Sequence, residues 1–513
     1  MSWRTLGLAR MAALICAVQL MCSGSGAAAE AETAITIYSS ALPGAIPAEY
    51  YRPLPGQGIA NPEGVPGYAM VSQDRKVSLA AGHTQLRFTD VAALIDPTTV
   101  QFVSLSDPQS TQVLEQNFQF DLVSTQKLLS KYIDKNVTAQ MMQGAQSTDI
   151  TGTLLSAGDG LVLRGADGQI HAINQYSNLR FSELPGGLIT RPTLLWDIVA
   201  RRAGEQTARV TYQTGGMTWW ADYNLTYTPG ADANSGFVDV GAWVSIINQS
   251  GAAFDDAKLK LIAGDVQRAR PQVQALAAYA PSAKRSDMAE DAGFAEKSFF
   301  EYHLYTLGRR TSLPNNSTKQ LELFDTAKHV PARKTLMYIG QAGLYYGSGL
   351  NSERSYGTAF NKKVDVYLEF KNEEKSGLGA PLPRGRIRVS QIDTADHSLE
   401  FIGEDVIDHT PKNERVMVKL GSAFDVVGER RQVDFSVDSK AKWMEEEIEV
   451  KLRNHKTEPV DVLVKETLFR WSDWTMKSSS ATYEKTDART IYFPVKVAAD
   501  AQETLSYRVR YTW

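Results

Sequence analysis

Apolar residues that recur at every second position constrain this chain more than any motif does. Val364, Val366, Leu368 and Phe370 alternate with Asp365, Tyr367 and Glu369, and a period of two with polar partners describes a strand with one face buried. Val238, Val240, Ala242, Val244 and Ile246 repeat the pattern, as do Ile448, Val450 and Leu452 against Glu449, Lys451 and Arg453. Strands buried on both faces of a parallel sheet would read apolar throughout. The expected fold class is therefore mainly β, with antiparallel β-sandwich-like domains. Asp159-Gly160, Asp167-Gly168, Pro185-Gly186-Gly187, Pro229-Gly230 and Ser376-Gly377 supply the turns. One segment reads as helix: Ser124 caps a run in which Leu128, Leu129, Tyr132 and Ile133 share a face. A small β-rich N-terminal domain carrying this short helix fits better than an α/β alternation.

Arg4 and Arg10 precede and flank an apolar run from Met11 to Met21, and Ala27, Ala28 and Ala29 follow before the first acid, Glu30. This order is that of a secretory signal peptide, with residues 1–29 removed by cleavage after Ala29. Acylation at Cys22 is the weighed alternative, but bulky Met21 occupies the position where a lipobox takes a small residue. Cys16 and Cys22 are the only cysteines, so the exported chain is expected to carry no disulfide and no thiolate metal site. Loss of two arginines from 54 basic and 58 acidic residues leaves a net charge of −6. That balance offers no broad field for nucleic acid, and no later apolar run is long enough for a transmembrane helix. Length predicts more than one core: an N-terminal domain over 30–190, a middle domain over 191–365, and a C-terminal domain over 366–513. An alanine-rich stretch, 271–297, reads as an exposed excursion of the middle domain and the first site of proteolysis, with strands resuming at Phe299-Phe300. A second loose stretch covers 340–360.

No reaction machinery declares itself. His83, His171, His303, His329, His397, His409 and His455 are scattered, without a His-x-His pair or a His-Glu-x-x-His. No Gly-x-Ser-x-Gly elbow, Walker loop or dinucleotide fingerprint occurs. No catalytic residue, metal or cofactor is therefore expected. Glu445-Glu446-Glu447 and Asp255-Asp256 offer carboxylates for a glycosidase pair, yet such runs usually mark a solvated edge. Trp219-Trp220 and Trp471-x-x-Trp474 are candidates for stacking on sugar rings, with core packing the favoured reading. Asp405, Asp408 and His409 form the nearest approach to a polar cluster, around Val406 and Ile407, which are expected to point inward. They are read as fastening a turn before Pro411. The alternation of Leu505, Tyr507, Val509, Tyr511 and Trp513 has the look of the closing strand of an outer-membrane barrel, but the irregular strands elsewhere favour a sandwich.

The segment Gly377-Leu-Gly-Ala-Pro-Leu-Pro-Arg-Gly-Arg-Ile-Arg-Val389, then Phe401-Ile-Gly-Glu-Asp-Val-Ile-Asp-His-Thr-Pro411 and Leu420-Gly-Ser-Ala-Phe-Asp-Val426, resembles the bacterial domain-of-unknown-function family 4139. Gly216-Met-Thr-Trp-Trp-Ala-Asp-Tyr223, Trp243-Val-Ser-Ile-Ile-Asn248 and Leu261-Ile-Ala-Gly-Asp-Val266 are similar to that family's opening strands, and the likeness covers roughly 190–513. Gly82-His-Thr-Gln-Leu-Arg-Phe88 and Gly186-Gly-Leu-Ile-Thr-Arg-Pro192 resemble the leader domain of longer members. The resemblance implies a β-rich exported protein and transfers no catalytic residue.

Two classes of function follow. The first is a non-enzymatic binding or scaffolding protein of the cell envelope, periplasmic or secreted, whose partner is an envelope protein or polysaccharide. Its binding candidates are Trp219, Trp220, Asp405, Asp408 and His409. The second is a hydrolase acting on envelope polysaccharide or peptidoglycan through a carboxylate pair. Two acids facing across a concave cleft would mark the hydrolase; an exposed patch or sheet edge would suffice for the binder.

Overall fold

The computed structural model describes residues 32–39, 41–42, 44, 46–52, 61–143, 146–264, 266–267, 294–341, 349–393 and 395–513. The proposed signal segment and residues 271–293 of the expected excursion lie outside the described residues. The fold is mainly β, with multiple antiparallel sheets and, among the described residues, two short α-helices. The alternation seen in the sequence is carried through: Val364, Leu368 and Phe370 are buried, as are Val238, Val240, Ala242, Val244 and Ile246.

Four sheets organise the described residues. An eight-stranded sheet runs in the order Phe294–Phe299, Tyr302–Leu307, Phe254–Ala263, Glu32–Ser39, Gly67–Leu79, Gly204–Thr214 and Ile95–Ser104, with Thr311–Leu313 paired to Phe254–Ala263. Gly82–Thr89, Thr193–Ala200 and Thr111–Gln119 form a three-stranded sheet. A five-stranded sheet covers 136–181 and packs its own small core, including Leu129 from the helix Thr125–Lys131 and Tyr132 at that helix's C-terminal cap. Ser124 caps that helix by accepting a hydrogen bond from the Lys127 N–H, the role its side chain suggested. The fourth and largest sheet has thirteen strands from Met217–Pro229 to the terminal Ala501–Thr512. In the terminal strand, Leu505, Tyr507, Val509 and Tyr511 face a buried core.

Among the described strands three pairings are parallel: Glu32–Ser39 with Phe254–Ala263, Met217–Pro229 with Gly385–Ile392, and Ser317–Tyr338 with Val460–Thr467. Strand pairing therefore crosses the expected boundaries. The first strand joins residues far beyond 190, and the boundary at 365/366 falls within the strand Lys363–Lys371. One apolar core joins Ile35 to Val418, and a second lies between Leu336 and Tyr511. Local patterns locate strands but carry no record of such distant partners.

The expected resumption of strands at Phe299-Phe300 is corrected. Phe294–Phe299 already pairs with Tyr302–Leu307, and Phe300 occupies the turn with φ of 56°. Ala295, Glu296 and Lys297 belong to this sheet's edge strand, where charge is tolerated. Much of the loose-looking stretch after Gly340 is also tied down: Arg470 donates to the carbonyls of Asn351, Glu353 and Tyr356, and Arg430 to that of Gly357.

Candidate functional site

The large sheet places three arginines in a row. Arg384 precedes the strand Gly385–Ile392, and Arg386 and Arg388 follow at the period of two that puts side chains on one face. This strand lies between Met217–Pro229 and Leu399–Ile407, so acids from both neighbours reach the row. Arg384 Nε donates to Asp408 at 2.8 Å. Arg386 and Arg388 approach one carboxylate oxygen of Asp222, each at 3.4 Å, and Arg388 also reaches Glu404 at 3.5 Å. Asp222 is buried, and its other oxygen accepts from the Trp220 indole N–H at 2.7 Å and the Ser245 hydroxyl at 3.0 Å. A buried carboxylate is retained in this way because guanidinium charges and hydrogen bonds replace its hydration.

At the Arg384 end lies a cavity of about 30 Å³, bordered by Ser39, Trp219, Trp220, Gly264, Arg384 and His409 among others. It brings together three of the five residues expected to bind, with Asp408 attached through Arg384. Pockets that enclose small-molecule ligands measure about 300–1,000 Å³, so this one has room for water and none for a sugar ring. Trp219 turns to the inner face and meets Tyr305 edge to face at 6.4 Å. Trp220 turns to the outer face and is covered by Ile46, Val65 and Tyr51. Both are buried, Trp219 in the main core and Trp220 in a small cluster on the outer face. The Trp219 indole N–H is buried without a hydrogen-bond partner among the described residues.

The polar candidates fasten backbone. His409 Nδ1 accepts the Arg384 backbone N–H at 3.1 Å, which places the neutral ring's proton on Nε2. Asp408 accepts its neighbour's N–H at 2.8 Å, and the Thr410 hydroxyl donates to the Asp408 carbonyl at 2.8 Å. Burial works against ionisation of Asp408, but the hydrogen bonds from Arg384 and from the His409 N–H hold its carboxyl below the usual range. Asp405 stands apart from the cavity. Its carboxylate accepts the Lys419 N–H at 2.8 Å and so ties Leu399–Ile407 to Arg415–Asp438. Ile407 points inward as expected, whereas Val406 points to solvent, because neighbours on a strand take opposite faces.

The acidic run also needs correction. Glu446 is fully enclosed in the second core, while Glu445 and Glu447 face the other way and pair with Arg510 and Arg508. Glu446 accepts Arg470 Nε at 2.8 Å and the Tyr511 hydroxyl at 2.9 Å. Glu466 lies in the same core and accepts Arg430 Nε at 3.0 Å and the Tyr507 hydroxyl at 2.6 Å. These are two carboxylates, but each is neutralised by an arginine and sealed under packed side chains. They face no cleft. Among the described residues no group of three or more His, Cys, Asp and Glu could hold a metal, and no helix is long and apolar enough to cross a membrane.

Sequence reasoning missed Asp222, the arginine row, and Trp243. Trp243 lies directly opposite Asp222 on the neighbouring strand Ser235–Asn248, and it is 40% exposed. Its signal was its phase: Val240, Ala242 and Val244 face the core, so position 243 faces out. No family model, curated protein or solved structure matches the chain.

Proposed function

We propose that this chain is an exported, non-enzymatic binding or scaffolding protein of the bacterial cell envelope, related to the domain-of-unknown-function family 4139. The observation that carries the reading is an outer sheet face that the described residues leave half open. Residues around Ile46 and Tyr51 cover Trp220 and Ile247, while Trp243 stands exposed opposite Asp222, in the cross-strand row that continues to Arg386. An exposed aromatic flanked by charged groups is the composition of a binding surface. Export rests on the arginine-flanked apolar run and the three alanines before Glu30. The carboxylate-pair alternative draws no support from Glu446 and Glu466, which are committed to arginines.

The test is photo-crosslinking in intact cells, with a benzophenone side chain introduced at Glu322 on this face and, as control, at Asp500 in a distant turn. Crosslinks to a defined envelope component from position 322 alone support the proposal. Retention of the chain in the cytoplasm, or a full-length mass that includes residues 1–29, would sink it.

A further inference from the structure

Trp243 is the centre of a patch whose parts come from four strands. Register places Arg386, Asp222, Trp243 and Glu322 in one row across Gly385–Ile392, Met217–Pro229, Ser235–Asn248 and Ser317–Tyr338. With strands about 4.8 Å apart, the row spans roughly 14 Å. A second row runs beside it: Arg388, Asn224 and Gly241 are cross-strand partners in the same way. Gly241 lies two residues before Trp243 on the same face, and the space a side chain would fill there holds nothing closer than 3.4 Å. Glycine in a sheet interior exposes backbone and leaves a shallow floor where a ligand can approach.

The polar groups around this floor are mixed in sign and in hydrogen-bonding sense. Arg386 and Arg388 bring donors, Glu322 brings acceptors, and the Asn224 amide brings both. Glu322 and Asn224 are exposed, and neither side chain has a hydrogen-bond partner among the described residues. Two arginines balanced by Asp222, Glu404 and Glu322 leave little net field, so the patch does not select a strongly charged ligand. It suits a flat, hydroxyl-rich one. A pyranose ring presents an apolar C–H face to an indole and a rim of hydroxyls that donate and accept in turn.

We propose that the open face around Trp243 binds the pyranose rings of an envelope polysaccharide, with the indole as the stacking platform and Gly241 as the floor. This deepens the binding reading above and rests on it. The ring stacks on Trp243, its hydroxyls donate to Glu322 and accept from Asn224 and Arg388, and the chain of sugars continues over the surface without a deep pocket.

The experiment is co-sedimentation of the purified chain with peptidoglycan sacculi, with soluble tri-N-acetylglucosamine as competitor. Three variants accompany it: Trp243→Ala, Trp243→Phe and Gly241→Val. The expected result is saturable binding that the soluble sugar competes away. Trp243→Ala should weaken it at least about tenfold, and Trp243→Phe less, because a smaller ring still stacks. Gly241→Val should weaken binding comparably by filling the floor while leaving the indole in place. Far-UV circular dichroism confirms that each variant is folded. If the wild-type chain does not sediment with sacculi, or the folded Trp243→Ala and Gly241→Val variants bind as it does, the proposal is wrong. Crosslinks from position 322 to an envelope protein without any sugar binding would overturn the ligand class and leave the wider reading standing.

Discussion

The buried ion pairs of the second core offer the sharpest quantitative test, and Glu466→Gln is the perturbation to choose. Glu466 is 0% exposed and Arg430 is 2% exposed. Both carboxylate oxygens accept Arg430 Nε, at 3.1 and 3.0 Å, and one also accepts the Tyr507 hydroxyl and, at 3.3 Å, the Gln341 amide. Glutamine keeps the shape and a carbonyl acceptor, so what is lost is the charge. Burial alone would push the Arg430 guanidinium toward deprotonation, but Glu466, Tyr507 and Glu446 hold it above its ordinary value. Without Glu466 the nearest acid is Glu446, which already holds Arg470. Removing one member of a buried pair costs about 3–5 kcal/mol, against about 0–1 kcal/mol for an exposed pair.

Because the chain has several cores, global unfolding would blur the result. Amide hydrogen exchange in the strands Trp443–Asn454 and Val460–Thr467 reads the local opening free energy instead. A loss of 3–5 kcal/mol appears there as roughly a hundredfold to several-thousandfold faster exchange. Arg430→Met should cost a similar amount and also release the Gly357 carbonyl. The double variant should cost less than the sum by about 2–4 kcal/mol, because neither charge is then stranded. Additive effects, or a single-variant cost under about 1 kcal/mol, would refute the claim that this pair is buried and coupled.

High pH should unfold the protein abruptly. Burial raises Tyr223, Tyr305, Tyr507 and Tyr511 well above the ordinary tyrosine value, so their contribution is complete below about pH 10 and falls above it by about 1.4 kcal/mol per pH unit each; absorbance at 295 nm should show these groups ionising only as β circular dichroism is lost, and ionisation in an intact fold would refute this. Ser124→Ala should cost about 1 kcal/mol through the lost cap, seen as faster exchange in Thr125–Lys131 and not in the large sheet. Asp405→Asn, Asp408→Asn and His409→Gln should each leave the fold intact and cost under about 2 kcal/mol in denaturant titrations, while a folded variant that loses all envelope function would favour a catalytic acid or base.

Phase along a strand was the most informative part of the sequence, and it held even where composition argued against it. In Trp443–Asn454, Met444, Glu446, Ile448, Val450 and Leu452 share one phase and are all buried. Extending the Ile448, Val450, Leu452 pattern back by two residues would have placed Glu446 inside, yet three consecutive glutamates suggested a solvated edge. What no local pattern could supply was the partner. Arg470 and Tyr511 reach Glu446 from 24 and 65 residues away, and only the assembled sheets bring them together.

Trp220 and Trp243 show where phase itself stops deciding. Register puts Trp220 beside Ser245 and Trp243 beside Asp222, so both indoles stand on the same outer face of one pair of strands. Their local patterns are equivalent, but one is buried and the other open. The difference is made by residues around Ile46 and Tyr51, which cover Trp220 and Ile247. Period two tells which side of a sheet a residue occupies. Whether that side is core or surface depends, at Trp220, on a segment some 170 residues earlier in the chain.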